Sequence, residues 1–148
     1  MHAITRIAAG LALGAWCAGP VDSAEVTWQG GGISDHWSVN NNWVGLAAPS
    51  AGDALFFDGS TGLANINDLA GGTLFNGLTF NPSASGFVLT GNAVTLAGGI
   101  TNRSSNLQSV SLNLALPAIA GVDLPGFDLA LDGSLSGPGG LVKTGAGA

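Results

Sequence analysis

The side chains best suited to recognition are three tryptophans, Trp28, Trp37 and Trp43. Flat aromatic rings can stack on sugar rings, and glycan stacking through these three is one expectation. Their spacings of nine and six residues do not place all three on one strand face. Packing in a core or cap is therefore the first expectation, since an indole buries a large area.

The carboxylates offer less. Asp128 and Asp132 flank the run Phe127-x-Leu129-x-Leu131 and share one outward face. Four strand residues separate them by roughly 13 Å, whereas a glycosidase pair stands roughly 5–9.5 Å apart. They cannot form a dyad within one strand, although Asp132 could stack beside an Asp on an adjacent rung. Asp53 and Asp58 bracket Ala54-Leu55-Phe56-Phe57. No calcium-loop spacing surrounds them, so both are expected to be turn formers. His36, between Asp35 and Trp37, has no nucleophile elbow and no second histidine or cysteine nearby, so neither a triad nor a metal site is expected. Gly137-Pro138-Gly139-Gly140 lacks the Lys-Ser/Thr ending of a phosphate loop. Asn102-Arg103-Ser104 formally matches a glycan acceptor. No catalytic residue, cofactor or metal is expected.

Charge narrows the partners. The chain carries a formal net charge of −6, and its basic side chains are Arg6, Arg103 and Lys143. Nucleic acid is excluded as a partner, because binding it draws on phosphate neutralisation. Polarity is carried instead by Asn, Ser, Thr and 25 glycines. The single cysteine, Cys17, falls in the leading segment, so the remainder has no disulfide.

The elements that must position these residues fall into three regions. Residues 1–24 follow the plan of a signal peptide. Arg6 is positive, Ile7–Ala18 is apolar, Gly19-Pro20 breaks the run, and small residues precede a cut after Ser23 or Ala24. The apolar run is shorter than the roughly 20 residues of a membrane span, so no stable transmembrane segment is expected. Residues 25–60, rich in Trp and Asn, are expected to cap the N-terminal end. Residues 61–148 alternate short apolar runs with Gly, Asn, Ser and Pro turns. The runs are Leu78–Phe80, Phe87–Thr90, Val94–Leu96, Ile100-Thr101, Val110 to Leu116 as the longest, and Phe127 to Leu131. Short strands at short intervals, without clean two-residue hairpin links, predict an all-β solenoid. The asparagines suit its corners and could form an amide ladder.

Particular motifs then suggest a family. Thr27-Trp28-Gln29-Gly30-Gly31, Trp37-Ser38, Asn42-Trp43-Val44-Gly45, Pro49, Gly52-Asp53 and Leu55-x-Phe57 resemble the N-terminal box of autotransporter-associated β-strand repeat proteins. Leu78-Thr79-Phe80, Gly91 to Leu96 and Gly98 to Asn102 are similar to that family's first rungs. Gly137 to Gly147 resembles the repeat signature itself. The resemblance spans nearly all of residues 26–148. It implies a right-handed parallel β-helix, secreted or displayed on the cell surface or outer membrane as an adhesin-like passenger scaffold without catalysis of its own. It also implies an N-terminal fragment whose last rung, ending at Ala148, leaves a strand edge exposed. An extracellular glycan or a host or matrix surface is the partner expected. Two alternatives stand beside this reading: a carbohydrate-binding module using Trp28, Trp37 and Trp43, and part of a β-helical polysaccharide-active enzyme.

Overall fold

The computed structural model describes residues 23–148. All but the last two residues of the expected signal peptide, 1–24, lie outside the described residues. The described chain is a β-solenoid of about four turns. A leading strand, β1 (Glu25–Trp28), is followed by coils of three short strands each. The first coil holds β2 (Ala54–Phe57), β3 (Ala64–Asn67) and β4 (Thr73–Phe75). The second holds β5 (Gly77–Phe80), β6 (Val88–Gly91) and β7 (Val94–Leu96). The third holds β8 (Ile100–Asn102), β9 (Gln108–Val110) and β10 (Leu114–Ala115). The fourth holds β11 (Ala120–Asp123), β12 (Leu129–Leu131) and β13 (Leu135–Ser136), and β14 (Leu141–Thr144) follows.

Every strand pairs in parallel with the strand one coil away, giving three sheets. The first sheet runs β1-β2-β5-β8-β11-β14, the second β3-β6-β9-β12, and the third β4-β7-β10-β13. Leu55 stands over Leu78, Leu78 over Ile100 and Ile100 over Val122. Side chains alternate across a strand, so matching register stacks like on like and keeps one column inside. The neighbouring inward column reads Trp28, Phe57, Phe80 and Asn102.

The core grades along the axis. Its N-terminal end is aromatic, with Trp28, Trp37, Trp43, Phe57, Phe75, Phe80 and Phe87 all fully buried. Below them the large buried apolar residues are Leu, Ile and Val. Most of the rings pack edge-on or tilted, as their quadrupoles favour. Trp28 meets Trp43 at 5.2 Å and 88°, and Trp37 meets Trp43 at 6.1 Å and 87°. Phe57 and Phe80, one coil apart, stack at 5.4 Å and 28°.

The run Val110 to Leu116 is not one strand. It is split between β9 and β10 by a bend at Ser111–Asn113. Alternation survives the corner because Leu112 still points into the core, where it is fully buried. The strand β3 has no apolar alternation to announce it, since its inward residues are Asn65 and Asn67.

The N-terminal excursion, residues 29–53, covers the upper edge of each sheet. Trp43 bridges Trp28 in antiparallel fashion, and the Val44 N–H donates to the Thr27 carbonyl, so the free side of β1 is occupied. His36 bridges Ile66, with the Trp37 N–H donating to the Ile66 carbonyl and the Ile66 N–H to Asp35, which covers β3. The Gly52 N–H reaches the Leu74 carbonyl of β4. Unpaired edges are otherwise templates for association. At the other end Leu135 and Val142 are about half exposed, and Leu129, Leu131 and Leu141 only partly buried.

Candidate functional site: a groove beside the cap

All three candidate tryptophans are inside, at 0% exposure. Each indole N–H is satisfied within the protein. Trp28 donates to the Thr61 carbonyl at 3.1 Å, Trp37 to Asn65 Oδ1 at 2.8 Å, and Trp43 to the Trp37 carbonyl at 2.8 Å. No indole face is open to a sugar. Asn42, also fully buried, ties the excursion together. Its amide donates to the Ser34 and His36 carbonyls, and its oxygen accepts from the Gly32 N–H. That arrangement explains Gly32, where an added Cβ would overlap Asn42 and Val39.

The other candidates occupy separate places. His36 Nδ1 lies 3.3 Å from Ser34 Oγ. Ser38 donates both its amide, at 2.8 Å, and its hydroxyl, at 2.5 Å, to the Asp68 carboxylate. Desolvation pushes the Asp68 pKa up, but the two Ser38 bonds and the nearby His36 outweigh it and hold the carboxyl below its usual value. Asp53 accepts from the Ser50 N–H at 2.7 Å and the Ala24 N–H at 3.2 Å, a loop-bracing role. Asp128 accepts from the Ala148 N–H, whereas Asp132 accepts from Ser109 and Ser111 of the rung above.

The asparagines do not stack amide on amide. Several bond backbone at the corners instead: the Asn67 amide donates to the Asn92 carbonyl, and Asn92 to that of Leu69. Asn102 is fully buried, and its amide donates to the Asn106 and Asp128 carbonyls. The formal acceptor at Asn102-Arg103-Ser104 is therefore closed to modification in the folded chain.

What the chain does present is a groove of about 340 Å³ where β1 ends against the turn leading out of β2. Thr27, Gln29 and Val44 form one wall. Asp58, Ser60, Thr61 and Ser83 form the other, and Trp28 underlies them. Asp58 is held on three sides. Its Oδ1 accepts from the Gly59 N–H at 2.7 Å and from the Ser83 hydroxyl, and its Oδ2 accepts from Asn81 at 3.1 Å. The Ser83 bond most of all, aided by Asn81 and Gly59 against the cost of desolvation, keeps this carboxyl below its usual value. The Gln29 amide is fixed by the carbonyls of Asn41 and Trp43, at 3.1 and 3.3 Å. The sequence drew attention to Trp28 and Asp58 separately. That β1 and the turn after β2 meet was hidden, because the pairing of those strands is long-range.

Among the described residues no cluster of His, Cys, Asp and Glu could hold a metal ion, and no helix is long and apolar enough to cross a membrane. No family model, no curated protein and no solved structure matches the chain.

Proposed function

We propose that this chain is a structural or adhesive scaffold of the autotransporter-passenger type, exported by its leading segment and secreted or displayed at the cell surface. The observation that carries the reading is the build of the coil stack. One end is sealed on all three sheets by the residue 29–53 excursion, and parallel coils propagate from it in register. Such a stack makes a long rigid body from modest local signals. The segment that resembles the family signature, Gly137 to Gly147, adds the corner and the strand β14 to the same sheet as β1. The Ser-, Thr- and Asn-rich exterior gives such a body solubility with few charges. The scaffold has no catalysis of its own in this reading.

Expression of the full chain in a bacterial host, followed by intact-mass analysis and protease treatment of whole cells, tests the proposal. A product beginning at Ala24 or Glu25 and cleaved from outside intact cells is the expected result. An unprocessed chain retained in the cytoplasm would overturn it.

A further inference from the structure

The groove beside the cap has the chemistry of a ligand site, and its occupant can be specified by class. We propose that it binds a neutral saccharide. Its volume of about 340 Å³ falls at the small end of ligand pockets, which run from about 300 to 1,000 Å³, and suits a single sugar ring.

The lining supplies both halves of sugar recognition. The hydroxyls of Thr27, Ser60 and Thr61 make no hydrogen bond with the described residues, and neither does Gln29 Oε1, whose amide nitrogen is already fixed. These are free donors and acceptors on preorganised backbone. Asp58 is charged and oriented, and its Oδ2 takes only one protein bond, from Asn81. A carboxylate with spare lone pairs is a strong acceptor for a sugar hydroxyl. Val44, 58% exposed on the rim, offers an apolar wall for the C–H face of a ring.

Charge decides against anionic ligands. No lysine or arginine lines the groove, and Asp58 repels anions, so acidic sugars and phosphates are disfavoured. Trp28 serves as foundation rather than stacking plate. Its N–H holds the Thr61 carbonyl and thereby sets the turn. This inference concerns the purified chain in solution and is independent of export. Its failure would leave the scaffold reading standing, and the reverse holds too.

The test is chemical-shift mapping on ¹⁵N-labelled protein titrated with cellotetraose, chitotetraose and maltotetraose, and with trigalacturonate as the acidic control. At least one neutral tetrasaccharide, at up to about 10 mM as suits a weak site, should shift the amides of Thr27, Gln29, Val44, Ser60 and Thr61. Thr61→Val and Val44→Ser should each weaken that binding about 5–10-fold while leaving the amide spectrum elsewhere and the melting temperature unchanged. Three results would overturn the proposal: no groove amide moves with any neutral probe, the shifts map elsewhere, or trigalacturonate binds as tightly.

Discussion

At the scale of single residues, the tryptophans show how one side chain can read as a binding platform and serve as a keystone. Trp37 touches Trp43, Phe57 and Phe75 and donates to Asn65 Oδ1 inside the core. Trp37→Ala removes the ring contacts and leaves the Asn65 oxygen unpaired. The loss of stability should be about 3–5 kcal/mol, as for other buried aromatics cut to Ala. Trp37→Phe keeps most of the packing and orphans only Asn65, which should cost about 1–3 kcal/mol. Urea unfolding monitored by far-ultraviolet circular dichroism measures both. Equal, near-zero costs would mean that the indole is not buried as described. Burial was legible in the spacings of nine and six, which deny the rings a common strand face. The hydrogen-bond partners were not, because Asn65 and Thr61 lie far away in sequence.

At the scale of the element, turn chemistry sets the register. Gly98 and Gly91 illustrate two different demands. Gly91 ends β6 at φ +107° and backs onto the Asn67 backbone. A side chain there meets strain and a clash together. Gly98 does not have a positive φ, but an added Cβ would overlap the carbonyl oxygen of Asn76 in the rung above. Gly98→Ala should therefore force β7 and β8 apart from β4 and β5. A cost of about 1–3 kcal/mol follows from such overpacking, against almost nothing for Gly126→Ala, where space is open. Thermal melting of the two variants separates the explanations. A similar drop in both would mean that the overlap with Asn76 is not what sets the cost, since the unfolded-chain effect of Gly→Ala is stabilising. Sequence patterning located Val94–Leu96 to the residue because its inward positions are apolar. It missed β3, whose inward positions are asparagines, and it read β9 and β10 as one strand because inward alternation continues around the corner at Leu112.

At the scale of the whole molecule, the two ends of the stack are unlike, and stability should follow that axis. In a solenoid each coil contacts only its neighbours, so local stability tracks local interfaces. The N-terminal coils combine covered strand edges with the entire aromatic cluster. The last coil has partly buried leucines at 129, 131 and 141, and about half of Leu135 and Val142 is exposed. Amide hydrogen exchange should therefore be slowest in β2, β5 and β8, intermediate in β11, and fastest in β13 and β14. Sequential opening from the C-terminal coil upward accounts for that order. Adding moderate urea should lower protection of β14 well before that of β5. Uniform protection from β5 to β14 would mean that the stack opens as one unit and would sink the graded picture. The sequence foreshadowed the gradient by placing all three tryptophans of the described residues before position 44. Only the stacked register reveals that this places them at one physical end, where a cap must exclude both water and other strands.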